Sequence, residues 1–373
     1  MGVSYPIPYG SAEFPSKVND ARGAAAVFGH SPQVQRQADV GSARATINCR
    51  LRQYRKNDHP LDSLTQTRLA KAERLAKIGE MPFLDVGTSG GFFGGTAKSV
   101  AEIWQHRELL GRLVKREVKA RYKDSKLGII WSLFRPLIQL LIYYFAIGKI
   151  MGAGRLTPDF AIFVFIGLTF WMLYSEIIAG GVRSIMDNAG LVKKVYLPRE
   201  IFPLSAIGSA LVNFFIQFAV LLIGIAVIST YAFVPALLLA PLAFITLLVF
   251  GTALALLVAA LNVYLRDVQH FVEIYLLVFF WASPIVYPFT FVHRELGGNW
   301  LEELYLANPV TIAIVGAQKA LWTAGSNGTG GFVQFWPANL EMRLLIALVV
   351  SVALLWISQR VFSRLQGNFA QEL

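Results

Sequence analysis

Beyond residue 127 the chain is built from long apolar runs separated by polar breaks; before it, polar sequence is interrupted only by short apolar pieces. Within the runs apolar residues cover every face of a helix, so no run has the wet side of a soluble amphipathic element. A hydrocarbon core of about 30 Å takes roughly 20 residues of helix to cross. Six runs meet that length, at 128–150, 160–181, 203–229, 235–262, 271–289 and 342–361. The pattern predicts an all-α membrane protein with six transmembrane helices over 128–373.

Just ahead of the first run the pattern changes. In VAEIWQHRELLGRLVKREVKARYKDSK, Ile103, Leu109, Leu110, Leu113, Val114 and Val118 share one broad arc at 3.6-residue spacing, with Arg112, Lys115, Arg116 and Lys119 on the rest of the surface. This predicts an amphipathic interfacial helix over 96–127, lying along the inner leaflet. Residues 1–95 are polar and rich in Gly, Ser, Ala, Arg and Gln, with one helix-compatible piece, LDSLTQTRLAKAERLAKIGE. They read as a disordered cytoplasmic tail.

Composition agrees, and charge supplies a direction. Hydrophobic residues are 55% of the chain and charged ones 15%, with a mean hydropathy of +0.52, which excludes a soluble domain of this length. Lys115, Arg116, Lys119, Arg121, Lys123 and Lys126 crowd the approach to the first span; Arg183, Lys193, Lys194 and Arg199 fill the loop between spans two and three. Arg266 follows span four, and Arg360 and Arg364 close span six. The opposite loops offer only Lys149, Arg155, Arg294, Lys319 and Arg343, so the positive-inside rule puts both termini in the cytoplasm. The same asymmetry assigns the net charge of +11 to topology and anionic lipid, not to nucleic acid. Cys49 is the one cysteine, so neither an intrachain disulfide nor a cysteine metal cluster can form.

One stretch imitates nucleotide chemistry. FLDVGTSGGFFGGTAKS has the outline of a phosphate-cradling loop, but Ala97 stands where the turn needs glycine before Lys98, and too little soluble chain follows to build a nucleotide-binding sheet. It reads as a flexible linker. A second stretch, RYKDSKLGIIWSLFRPL, drives Arg135 and Pro136 into the first span. Arg costs roughly 2.5–3.5 kcal/mol at mid-bilayer. Arg135 lies two turns inside and can snorkel to the interface, while Pro136 loosens the helix. Arg121 and Arg135 are therefore candidates for first contact with a lipid phosphate; helix anchoring is the competing role for Arg135.

Other residues in the spans divide between packing and passage. Gly251, Ala255 and Ala259 form a small-residue face in span four, and Asn213 and Gln217 in span three are placed to hydrogen-bond across to a neighbouring helix. Glu176 and Glu273 are the intramembrane carboxylates that could carry protons, but Arg183 or Arg266 can pair with them more cheaply. Aromatics are dense in spans one and five, beyond what an interfacial belt needs: Trp131, Phe134, Tyr143, Tyr144 and Phe145, then Tyr275, Phe279, Phe280, Trp281 and Tyr287. Flat apolar faces with nearby hydroxyls suit a sliding sugar chain, and lipid or core packing suits each of them equally well.

RYKDSKLGIIWSLFRPL, LVKKVYLPREIFPL, LRDVQHFVEI, SPIVYP and the pair Asn308-Pro309 follow one another in an order that resembles type-2 ABC permeases of polysaccharide export. The resemblance covers about residues 100–373. It implies a permease without ATPase activity of its own, acting in a bacterial cytoplasmic membrane as a homodimer with two ATP-binding subunits that hold ATP and Mg. It implies a polyprenyl-linked polysaccharide cargo of O-antigen, teichoic acid, capsule or galactan type. Leu191, Val192, Lys193, Lys194, Val195, Tyr196, Leu197 and Pro198 would form the coupling loop that docks on the ATPase. Spans one and five would line the channel, making Phe134, Tyr143, Tyr144, Phe145, Tyr275, Phe279, Trp281 and Tyr287 lining candidates. Between spans five and six, NPVTIAIVGAQKALWTAG is too short to cross and would be a re-entrant or surface helix at the exit. Two other readings stand beside this one: an ABC exporter of a drug or small lipid, and a membrane glycosyltransferase or polymerase on polyprenyl-phosphate substrates. The latter would draw on His293, Glu295, Glu302 and Glu303, which read as a solvated loop.

Overall fold

The computed structural model describes residues 94–121, 130–194, 197–228, 235–322 and 334–373. The expected tail before residue 94, with Cys49, lies outside the described residues, as do Lys123, Lys126, Val195 and Tyr196. Within them every regular element is a helix and no strand is present. In order come α1 (Gly94–Gln105), α2 (Arg107–Arg121), α3 (Ile130–Tyr143) continued by a π-helix (Tyr144–Ile150), α4 (Ala153–Leu156), α5 (Phe160–Asp187), α6 (Ala189–Lys194) and α7 (Ile201–Ile228). A 3-10 turn at Pro235–Leu238 leads to α8 (Leu239–Tyr264), followed by α9 (Val268–Trp281), α10 (Phe289–Leu296), α11 (Trp300–Leu306), α12 (Pro309–Leu321), α13 (Leu340–Leu365) and α14 (Phe369–Glu372).

Four helices among the described residues are long and apolar enough to cross a membrane: α5, α7, α8 with its preceding turn, and α13 with the turn that follows. The most apolar stretch of α5 is 78% buried against 22% for that of α13, so α5 is the centre of the bundle and α13 its rim. Helix α5 touches α3, α7, α8, α9 and α12. Small residues allow the closest approach: a Cβ on Gly181 would stand 2.6 Å from that of Ala255, and one on Gly251 would stand 3.1 Å from Ile177. The small-residue face of span four thus meets α5.

Expected spans one and five are not single α-helices. The first is α3 running directly into the π-helix, with Pro136 inside it. The fifth is only the 14 residues of α9, after which 282–288 leave the helix. Ser283, Ile285 and Val286 on that non-helical piece are buried nonetheless. The buried Pro284 carbonyl, which has left the helix, is met by another helix, because Gln318 Nε2 donates to Pro284 O at 2.7 Å. Gln318 belongs to α12, the half-length helix, which is buried among α5, α8 and α13 instead of lying on a surface. Irregular backbone at membrane depth persists only where protein satisfies it, and α12 does so here.

The expected interfacial helix is two helices meeting at a turn at His106, and its first residues, Gly94 to Ser99, come from the glycine-rich stretch expected to be a linker. The apolar arc of α2 faces α7, with Leu113 buried between them. Gly208 makes the approach possible, since a Cβ there would stand 2.5 Å from Val114.

Candidate functional site

Helix α6 follows α5 after a single residue, Asn188, whose carbonyl accepts from the N–H groups of Leu191 at 2.9 Å and Val192 at 3.1 Å. Six residues of helix are too few to be stable alone, so the position of α6 is set by what it touches. Val192 turns inward to a cluster with Leu113, Ile185, Ile201, Phe202 and Phe369. Leu191, Lys193 and Lys194 point out, and Leu197 and Pro198 are half-buried. Of the expected docking residues, Val192 is therefore an anchor, not part of an outward knob; Val195 and Tyr196 lie outside the described residues.

Helix α2 clamps both flanks of this segment. Ahead of it, Arg116 Nη2 donates to Asn188 Oδ1, and Asn188 Nδ2 donates to Ser184 O at 2.8 Å. Behind it, Ser205 Oγ on α7 donates to Glu117 Oε1 at 2.6 Å. Burial pushes the Glu117 carboxyl up, and the Ser205 hydrogen bond and the charges of Arg116 and Arg121 pull it partly back. One turn on, Arg121 Nη1 pairs with Glu176 Oε2 at 3.0 Å, and Asn213 Nδ2 donates to the same oxygen at 2.8 Å. The partner of Glu176 is thus Arg121 and not Arg183 or Arg266. Arg183 pairs instead with Glu273, at 2.9 Å. Arg121 is committed to this network, whereas Arg135 is exposed above a buried Pro136.

The aromatics of α3 and α9 separate into two groups. Tyr275 is tied to the centre, its hydroxyl 2.6 Å from that of Tyr174 on α5, with Phe279 tilted against it at 4.1 Å. Tyr143 stacks on Phe280 at 5.9 Å, Tyr144 holds Lys149 over its ring at 5.6 Å, and Tyr287 donates to Trp281 O at 2.7 Å. Phe134, Phe145 and Trp281 are exposed. The side chain of Trp131 lies outside the described residues.

On the far side of α9 the acidic residues lie on two short helices, with Glu295 and Glu303 exposed as expected and Glu302 not. Glu302 is buried and accepts from the Gly298 N–H at 3.2 Å, with His293 Nδ1 at 2.7 Å from its other oxygen. Glu303 takes the fork of Arg343 at 2.7 and 2.9 Å, which lowers its pKa, and Lys319 reaches Glu341 at 3.1 Å. These pairs tie α10 to α11, and both α11 and α12 to α13. Among the described residues no group of three or more His, Cys, Asp or Glu side chains is arranged to hold a metal ion.

Long apolar helices around a central span, with a short basic helix held at the junction of two of them, define a multi-pass membrane permease. The chain belongs to the ABC-2 type transporter family, which it matches over residues 108–322. It is similar to the O-antigen export system permease protein RfbA of Myxococcus xanthus, with 31% identity over 277 residues, 74% of this chain and 98% of that one. A protein of the same description from Klebsiella pneumoniae is 26% identical over 269 residues, 71% of this chain and 95% of that one. A shorter match, 32% over 81 residues and 31% of the relative's length, is to the polysialic acid transport protein KpsM of Escherichia coli. The resemblance carried by the motifs is borne out, and a transporter family leaves the glycosyltransferase reading without support.

Proposed function

We propose that the chain is the membrane half of an ATP-driven exporter that moves a lipid-linked polysaccharide across the bacterial cytoplasmic membrane. Two copies work with two ATP-binding subunits, which hold the ATP and Mg. The relatives' O-antigen and polysialic acid cargoes support the polysaccharide class. In this reading the α3 and α9 segments are spans one and five, both termini are cytoplasmic, and the exposed aromatics Phe134, Phe145 and Trp281 face the passage.

The observation that carries the coupling role is the mounting of α6. Its inward residue sits in the core, its flanks are clamped by Arg116 and Glu117, and Leu191, Lys193 and Lys194 are left facing outward. An element fixed behind and free in front is suited to receive a partner's push. Leu191→Asp combined with Lys194→Glu should leave the amount of chain in the membrane unchanged and abolish co-purification of the ATP-binding subunit and export. Normal co-purification in that variant would place the docking surface elsewhere.

A further inference from the structure

Of the residues after α13 only Phe369 has entered the geometry so far, as a member of the Val192 cluster, yet the coupling segment rests on them. Gln366–Asn368 makes a 3-10 turn into α14. Phe369, the first residue of α14, is fully buried. Its ring meets Phe362 of α13 edge-on at 5.5 Å and Tyr264, at the end of α8, at 6.0 Å. Tyr264 donates its hydroxyl to Leu365 O at 2.7 Å, which pins the turn leading into the segment. From the opposite side Arg199, in the stretch between α6 and α7, holds its guanidinium carbon 5.8 Å from the centre of the Phe369 ring. Helix α14 also packs on α6, and Phe369 shares its cluster with Val192.

We propose that Phe369 and Arg199 are positioning residues for coupling: they seat α6 and the stretch just before α7 on the ends of α8 and α13, so that a displacement of α6 reaches those spans directly. The proposal rests on the reading of α6 as the ATPase contact. By covalent connection alone, α6 can move only α5 and α7. A filled aromatic cluster has little room to yield, so it passes a push on to every element that lines it. Phe369 meets side chains of α8 and α13 directly and shares one cluster with Val192 of α6, and Arg199 ties the far end of the coupling segment to the same ring.

The test uses the full chain in membranes with the ATP-binding subunit that co-purifies with the wild type, and measures chain level, co-purification, ATP hydrolysis and polysaccharide delivered per ATP. Phe369→Ala should keep the first three near wild type and lower delivery per ATP by an order of magnitude or more, since the truncation leaves a cavity in the seat. Arg199→Gln, with the ring in place, should lower delivery per ATP about two- to fivefold, the range that an exposed cation–π contact corresponds to. Phe369→Tyr and Arg199→Lys should restore delivery. If Phe369→Ala fails to reach the membrane, Arg199→Gln alone decides. Delivery per ATP at the wild-type ratio in the truncated variants overturns the proposal, and loss of co-purification in Arg199→Gln overturns it too, because the residue would then belong to the docking surface. A wild-type chain that captures no ATP-binding subunit overturns the reading of α6 itself, which separates the two failures.

Discussion

Glu200 is 3% exposed where the coupling segment joins α7, and its Oε1 meets no hydrogen-bond donor among the described residues. Burial raises its pKa, its own backbone N–H pulls it back, nearby Glu102 pushes it up and Arg199 pulls it down. A carboxyl whose pKa is raised on folding binds more protons in the folded chain than in the unfolded one between the two values, so stability falls as pH rises through that window. Purified chain should therefore melt at a higher temperature at mildly acidic than at mildly alkaline pH. Glu200→Gln should flatten that slope, and Glu117→Gln, removing the second raised carboxyl, should flatten it further. A slope unchanged in the double variant would contradict the assignment. Arg135 poses a different question, because anchoring needs only a charge on a flexible stem, whereas gripping a phosphate through two hydrogen bonds needs the planar fork. Arg135→Lys should insert and bind the ATPase normally but lose most export; export at the wild-type rate in that variant, with Arg135→Ala failing to insert, would make the residue an anchor only.

At the scale of elements, the long helices were legible because runs such as α5 and α8 are apolar on every face over 28 and 26 residues. Span five was misread as a single helix for a physical reason. Periodicity registers how apolar SPIVYP is, but not that Gln318, more than thirty residues later, satisfies the carbonyl that lets the chain leave the helix there. Pro284 and Pro288 were the available signal. The partner of Glu176 was missed in the same way: Arg183 lies seven residues along the same chain segment, but Arg121 is the cation that the packing of α2 brings alongside. The coupling segment is legible through the motif that carries the family resemblance, whereas the inward turn of Val192 depends on a cluster assembled from seven helices. The role of Gln318 is open to measurement. Gln318→Leu strands a buried carbonyl, which costs about 1–3 kcal/mol, and should lower the melting temperature of the purified chain. Gln318→Glu, which offers no amide donor when ionised, should do no better. Wild-type melting in the Leu variant would mean that the bond to Pro284 contributes nothing.

For the whole molecule the question is what covers the outer faces, since both the α3 and α9 pair and α13 present exposed apolar side chains. One set is Phe134, Leu137, Ile138, Leu141 and Ile142 of α3 and Phe145 of the π-helix with Ile274, Leu277, Val278 and Trp281 of α9; the other is Met342, Leu345, Ile346, Val349 and Val350 of α13. Hydropathy does not separate them, but backbone does. Helix α13 is 26 residues of regular helix, which satisfies its own carbonyls and can face lipid along its whole length. Helix α9 rises only about 21 Å, short of the hydrocarbon core, and hands over to non-helical chain that lipid cannot solvate. Its neighbour α3 contains Pro136 and ends in a π-helix. Helix α12 already covers that non-helical chain, so what the second copy of the proposed homodimer is left to cover is the exposed apolar face of the short α9 and of the interrupted helix beside it. In a Cys49→Ser background, Trp281→Cys or Phe145→Cys should therefore cross-link to a dimer under mild oxidation in native membranes, while Val349→Cys should stay monomeric. Cross-linking at Val349→Cys alone would put the second copy against α13 and turn the aromatic faces of α3 and α9 toward lipid, removing them from the passage.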